Sequence, residues 1–331
     1  MSNNYSPRTM NLELTTNCPL HCPQCYCTLT GGKNLNLQTA IYWLKEGGKA
    51  GVKEVMLSGG ETMCYPHLYE VIQAAKEYCG IVNIALSGFA LNQEVYEKLL
   101  HSGVDGIFIS LNGSTREINS LTRDGFDLAI SALKLLQNNN YPNTTLNWVM
   151  HATNADDFPS IVELASSYNV TNLVVLGLKP DSKHSLSTLP STEQMKKVSN
   201  YIRTYRGKVK LFIESCYSPM LALTCDTKLF GNMNVGPLKG CGAGRSTFSV
   251  NVDGLLSPCR HLEYFEKRNT FKEYWENSPI LQKIRTLDDF KQEPCLSCKY
   301  SAYCRHCLSI NSKINNELFI GNKFCQIYTP L

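Results

Sequence analysis

Neither sign of charge dominates this chain: 32 Lys and Arg stand against 28 Asp and Glu, a net charge of +4 over 331 residues. So slight an imbalance is not the electrostatic footprint of a nucleic-acid or membrane-surface protein. No apolar run approaches the ~18 residues that a membrane helix needs, and the N-terminus, MSNNYSPRTM, has no hydrophobic signal segment. A cytoplasmic location is therefore expected, with no nucleic-acid and no membrane partner. Also missing are a Ser/His/Asp triad, a phosphate loop, internal repeats and low-complexity tracts. With 43% hydrophobic residues the chain has enough apolar side chains for a sizeable core, which excludes a disordered or fibrous protein.

What the chain has in excess is cysteine, 15 residues of it. The number is odd, disulfides do not persist in a reducing compartment, and a chain of this length needs no covalent staples, so metal ligation is the better account. Cys18, Cys22, Cys25 and Cys27 crowd the N-terminal end, seven more lie between Cys241 and Cys325, and only Cys64, Cys79, Cys216 and Cys225 stand between the two groups.

From residue 9 to 206 short β-rich runs alternate with helical patterns, as parallel βα units do. Six strands are expected, at Thr9 to Leu14, Glu54 to Leu57, Val82 to Leu86, Gly106 to Leu111, Leu146 to Met150 and Leu173 to Leu176. Between them, Leu68/Val71/Ile72/Ala75, Phe126/Ala129/Ile130/Leu133/Leu136 and Met195/Val198/Ile202/Tyr205 carry helical spacing. Ser191 and Gln194 make a capping box for the last of these helices. Lys210 to Ile213 offers a further strand. Spacing alone fits either a partial barrel or an open doubly wound sheet. In both, ligands collect at the carboxyl ends of the strands, where the first cysteine cluster falls.

Cys18, Cys22 and Cys25 form C-x3-C-x2-C, with Pro19 and Pro23 stiffening the loop. Three close thiolates suit a [4Fe-4S] cube with one iron left open; a zinc loop completed by Cys27 or His21 is the bland alternative. In order along the chain come Ser58-Gly59-Gly60-Glu61, Ser87-Gly88, Ser110-Leu111-Asn112-Gly113 and Arg123, each following an expected strand. Glycines permit close backbone approach, a carboxylate suits an ammonium, and small hydroxyls and amides suit sugar hydroxyls. Ordinary turn chemistry also accounts for Ser87, Ser110 and Asn112, and surface solvation for Arg123.

In these motifs the chain resembles the radical S-adenosylmethionine (SAM) enzymes, and its C-terminal third resembles a SPASM domain. The resemblance implies an α/β fold with a partial (β/α)6 TIM-type barrel at 1–206, a bridging region at 207–235 and a small cysteine-rich, two-cluster SPASM domain at 236–331. It implies that Cys18, Cys22 and Cys25 hold the cluster that binds SAM, that Gly59, Gly60 and Glu61 meet the methionine amino group, that Ser87, Ser110 and Asn112 meet the ribose, and that Arg123 meets the carboxylate. Gln24 stands where the family has an adenine-packing aromatic, with Tyr26 as the neighbouring ring. Cys241 and Cys259, then Cys295-x2-Cys298-x5-Cys304-x2-Cys307 and Cys325, resemble the seven-cysteine SPASM signature, one residue short in its third gap; residues 271–279 resemble the helix those domains carry between the halves. By resemblance Cys241, Cys259 and Cys307 hold one auxiliary cluster and Cys295, Cys298, Cys304 and Cys325 a second, three [4Fe-4S] clusters in all; the last four-cysteine run on its own also reads as zinc. Cys216 and Cys225 are expected either to donate a hydrogen atom to a substrate radical or to pack as small hydrophobes.

The function implied is abstraction of a hydrogen atom by a 5'-deoxyadenosyl radical from a ribosomally made precursor peptide, to install a crosslink, an epimerisation or an excision. Oxidation of a small metabolite and non-enzymatic iron-sulfur electron transfer are the alternatives. The expected partners are the precursor peptide, a reductase or flavodoxin/ferredoxin electron donor, and a separate leader-binding protein, since the first expected strand begins near residue 9.

Overall fold

The computed structural model describes residues 5–27, 32–179, 183–217, 241–298, 300–301, 304, 307–315 and 318. Cys225, Cys325 and the side chain of Cys216 lie outside the described residues. The described strands are β1 (Thr9–Glu13), β2 (Glu54–Ser58), β3 (Ile81–Leu86), β4 (Gly106–Ser110), β5 (Thr144–Met150), β6 (Asn172–Gly177), β7 (Lys210–Ile213), β8 (Thr247–Val250) and β9 (Leu256–Ser257). The helices are α1 (Leu37–Lys49), α2 (Leu68–Tyr78), α3 (Gln93–Ser102), α4 (Arg116–Ser120), α5 (Phe126–Asn138), α6 (Phe158–Ser167), α7 (Thr192–Thr204), α8 (Phe271–Asn277), α9 (Pro279–Arg285) and α10 (Leu308–Asn315). Each of β1 to β6 is followed by a helix, so the α/β class expected of six βα units holds.

The chain forms two compact units of non-contiguous stretches. One takes Met1–Ser110, Asp127–Thr144 and Gly242–Thr286; the other takes Leu111–Phe126, Thr145–Cys241 and Leu287–Leu331. In the first, the strand order is β9-β8-β1-β2-β3-β4, parallel except for the antiparallel β8-β9 pair. In the second, β5, β6 and β7 run parallel. β8 lies beside β1 with Met10 opposite Phe248 and Leu12 opposite Val250, all four fully buried.

Local chemistry fixes what the site rests on. In α1 the residues Ala40, Trp43, Leu44 and Gly47 share the buried face, and the Asn36 side chain caps the N-terminus by accepting from Thr39 N. Burying a leucine such as Leu44 is worth about 2 kcal/mol. Gly47 and Gly48 weaken a helix by about 1 kcal/mol each, yet a Cβ on Gly47 would meet Met10 Cε at 2.5 Å and one on Gly48 would meet Tyr78 O at 2.3 Å. Close approach, not a helix end, is what these glycines serve. The Ser191/Gln194 capping box is formed as expected at the start of α7.

Candidate active site

The cysteine loop leaves the carboxyl end of β1. Its base is fixed from below: Thr16 N donates to Lys33 O, and Asn17 N to Thr15 Oγ1. Cys25 N donates to Cys22 O at 3.1 Å, closing the second gap of the motif into a tight turn. None of Cys18, Cys22, Cys25 and Cys27 is in a disulfide. Burial pushes the Cys18 thiol up, the Leu20 amide pulls it down, and Glu61, Cys22 and Cys25 push it up again. Cys18 therefore feels the other two motif sulfurs and the Glu61 carboxylate. Cys27 is turned to other work: it hydrogen-bonds Cys25, and its Sγ donates to Gly59 O at 3.2 Å. Among the described residues no three His, Cys, Asp or Glu side chains converge on a point where a single metal ion would sit. The donor set of three unlinked thiols on one loop fits an iron-sulfur cube, whose ligands attach at separate corners.

The loop after β2 is pressed against the entry to that cysteine loop. Gly60 N donates to Thr15 O and Glu61 N to Asn17 O, both at 2.7 Å. Gly59 has φ +151°, and a Cβ there would meet Thr15 O at 2.5 Å; one on Gly60 would meet Asn17 O at 2.4 Å. These two glycines thus serve an approach of backbone to backbone. Glu61 is 2% exposed. Its Oε2 accepts from Ser87 N at 2.9 Å and from the Ser87 hydroxyl, and its Oε1 accepts from Met63 N at 3.2 Å. Ser87, expected at the ribose, spends its amide and its hydroxyl on holding this carboxylate. Gly88 follows with φ +97°, and a Cβ there would meet Leu128 O at 2.3 Å, which seats the turn on α5.

Residues 111–126 in the second unit carry the other set. Asn112 is fully buried. Its Nδ2 donates to Thr122 Oγ1 at 3.0 Å, its Oδ1 accepts from Val149 N at 3.1 Å, and its carbonyl accepts from Trp148 Nε1 and Asn154 Nδ2. Both ends of the amide are used inside the protein, so Asn112 is a tie between segments. Ser110 closes β4, half-buried. Arg123 is half-buried, and its Nε is buried with no hydrogen-bond partner among the described residues. An orphaned guanidinium N–H is what a site for an anionic group would leave open.

Tyr26 is 38% exposed, and its ring is taken: His261 meets it edge-on at 4.6 Å and the Arg260 guanidinium lies 5.0 Å from its centre. Arg260 and His261 directly follow Cys259, whose Sγ accepts from His261 N at 3.4 Å. Within the first unit, then, the residue after the third cysteine touches the residues after Cys259. Cys241, Cys295, Cys298, Cys304 and Cys307 belong to the second unit. There Cys298 N donates to Cys295 O at 3.4 Å, Cys304 N to Tyr300 O at 2.9 Å, and Tyr300 N to Cys298 Sγ at 3.4 Å, a turn that again fits thiolate ligation. Cys79 is a buried bystander, its thiol pushed by burial up to about 11 and its Sγ directed at Leu44 O. Asp253 is paired with Lys33 at 3.0 Å.

The motifs left one pair unseen. Lys179, just after β6, has its side chain only 8% exposed and meets Glu214 Oε2, just after β7, at 2.6 Å; Gly177 N donates to the same oxygen. Lone charges after two separate strands carry no spacing signal. A cavity of about 800 Å³ lined by Tyr5, Trp275 and Arg285 opens beside the residues that precede β1, at the strand end opposite the cysteines.

A parallel α/β scaffold with a thiol loop after its first strand, and a buried carboxylate after its second, defines an iron-sulfur enzyme site. Residues 12–165 match the model of the Radical SAM superfamily. Its cofactors are accordingly SAM and the [4Fe-4S] cluster of the family. The AdoMet-dependent heme synthase of Methanosarcina barkeri is 22% identical over 98% of this chain and 97% of that protein. The PqqA peptide cyclase of Granulibacter bethesdensis is 27% identical over 90% of this chain and 81% of its own length. The solved structure of Streptococcus suis SuiB bound to precursor peptide SuiA has a TM-score of 0.75 at 18% identity, covering 97% of this chain and 76% of that one. No described helix is long and apolar enough to cross a membrane.

Proposed function

We propose that this radical SAM enzyme modifies a ribosomally made peptide. The observation that carries the reading is the 27% identity to a peptide cyclase across 90% of the chain. In this reading Cys18, Cys22 and Cys25 hold the SAM-binding cluster, Glu61 meets the methionine ammonium and Arg123 its carboxylate. When bound, SAM and its cluster would supply the radical chemistry that abstracts a hydrogen atom from the substrate. The chain's own part is positional. Ser87 and Met63 N keep the Glu61 carboxylate aimed, while the glycines before it lock that loop to the base of the cysteine loop. Ser110 stays at the ribose, and Tyr26, gripped by Arg260 and His261, borders the site.

We assign residues 1–206 to the SAM-binding barrel, 207–235 to a bridge and 236–331 to a SPASM domain with two further clusters, one held by Cys241, Cys259 and Cys307, the other by Cys295, Cys298, Cys304 and Cys325. Cys216 and Cys225 are the candidate hydrogen-atom donors. A reductase or a flavodoxin or ferredoxin supplies electrons, a separate protein presents the peptide leader, and the compartment is the cytoplasm. Anaerobic reconstitution should give about 12 iron atoms, falling to about 8 with loss of SAM cleavage when Cys18, Cys22 and Cys25 are all changed to Ala. Stoichiometric zinc in place of iron would overturn this.

The heme synthase similarity, which spans 97% of that relative, favours a second reading in which the substrate is a small metabolite. Co-expression with short neighbouring reading frames, read by peptide mass, decides between them. A peptide deuterated at the attacked carbon should pass its label into 5'-deoxyadenosine. Label arriving instead from a free metabolite with no peptide present selects the second reading.

A further inference from the structure

The chain between β4 and α5 folds back on one side chain, Asn119. It is 1% exposed and sits in the five-residue helix α4, capped by Thr115. Its Oδ1 accepts from Asn112 N at 2.8 Å and its Nδ2 donates to Arg123 O at 2.9 Å. The assignment of oxygen and nitrogen follows from the partners, since a backbone N–H can only donate and a carbonyl can only accept. Its backbone carbonyl accepts from Thr122 N at 3.1 Å and from Arg123 N at 2.7 Å. Arg123 is therefore gripped at both its N–H and its C=O by one residue. Gly113 makes the grip possible: a Cβ there would strike Asn119 N at 2.3 Å.

Asn119 in turn hangs from a knot of neutral amides. Asn112 binds Thr122 Oγ1 and Val149 N, and Asn154 joins the Asn112 and Val149 carbonyls. Every polar end in this chain of bonds is matched, as a buried network must be to be rigid. The exception lies at its tip, where the Arg123 Nε–H is buried and unmatched among the described residues. Leaving a charged donor unmatched is costly. A matched network ending in one unmatched guanidinium N–H describes a group held ready for an anion.

The geometry points to Asn119 as the positioning residue of Arg123: it fixes the backbone from which the guanidinium reaches the carboxylate of SAM. This rests on the reading of Arg123 given above. Asn119→Asp is nearly isosteric and keeps the acceptor for Asn112 N, but it exchanges the donor to Arg123 O for a carboxylate; Asn119→Ser withdraws that donor without adding charge.

The test is binding, not turnover: anaerobic equilibrium dialysis of reconstituted protein with SAM and with decarboxylated SAM, for wild type, Asn119→Asp, Arg123→Met and the double variant. Asn119→Asp should weaken SAM about fivefold to tenfold, leave decarboxylated SAM unchanged, and add nothing once Arg123 is already Met. Equal weakening of both ligands, or a full effect in the Arg123→Met background, would show a role in folding only and overturn the inference. Should Arg123→Met weaken SAM while Asn119→Asp does not, the positioning role fails and the reading of Arg123 stands. If Arg123→Met itself leaves SAM binding unchanged, the reading of Arg123 fails and the inference falls with it. Asn119→Ser, small, polar and uncharged, should show the same selective loss of SAM; a loss seen with the aspartate alone would assign the effect to its charge and overturn the inference.

Discussion

The loop after β2 and the chain after β4 solve the same problem, a charge held at a strand end, by opposite means. At Glu61 the charge itself is buried, and a hydroxyl and two amides converge on it. At Arg123 the charge sits at the rim of a network made only of neutral amides, a hydroxyl and backbone groups. In the first case the supports touch the ion and set its electrostatics. In the second they touch only the backbone beneath it and set its place. The lesson is that small polar residues after parallel strands need not face a ligand: Ser87 and Asn112 stand behind the charged groups.

The sharpest way to break that contrast is Asn112→Ala. It strands Val149 N and Thr122 Oγ1 in a dry interior, at about 1 to 3 kcal/mol for each lost partner, so about 3 kcal/mol of stability should disappear in denaturant titration. A loss under about 1 kcal/mol would mean that water replaces the amide. Next comes Glu61→Gln, which keeps the shape and removes the charge. SAM affinity should fall tenfold or more, for about 1.5 to 3 kcal/mol of charge-assisted bonding, with the cluster's absorption spectrum unchanged. Undiminished affinity would reduce Glu61 to a structural carboxylate.

Ser87→Ala probes the support alone. The amide of residue 87 still reaches Glu61, so the change should be about 1 kcal/mol, near fivefold in SAM affinity; a greater loss than that of Glu61→Gln would place Ser87 on the ligand after all. The smallest effect belongs to Glu13, whose carboxyl is held above its ordinary value of 4.5 by burial, with Arg260 opposing. The folded state keeps this proton more tightly than the unfolded one, so wild-type stability falls as pH rises from that value through the folded pKa. Glu13→Gln should cancel that fall, making the difference between variant and wild type grow with pH across the window. A pH-independent difference would assign the effect to packing.

Much of the scaffold was legible because its signals are local. Lys210 to Ile213 forms β7 as expected, Leu68, Val71, Ile72 and Ala75 all face the core, and the capping box is in place. α1 is not among the helices expected from apolar spacing, and its Gly47 and Gly48 provide clearance from Met10 and Tyr78. The pairing of β8 with β1 joins residues more than two hundred positions apart, which no periodicity reports. At the site, the thiols could be named from spacing and the glycine-carboxylate loop from the family resemblance. Their supports could not, because Ser87 bonding Glu61, Asn119 bonding Arg123 and Lys179 pairing with Glu214 depend on the fold bringing distant or ordinary residues together.

The joint at Gly59 and Gly60 has one more effect, on how the protein acquires its iron. Because the bonds from the loop after β2 to Thr15 and Asn17 run backbone to backbone, the shore from which the thiols extend does not rely on iron for its shape. Whatever rearrangement iron insertion demands falls on the short arc bearing Cys18, Cys22 and Cys25, and ordering costs grow with the number of residues immobilised. Oxygen damage that strips the cluster should accordingly release iron and leave a folded, refillable protein, as a socket outlasts its lamp.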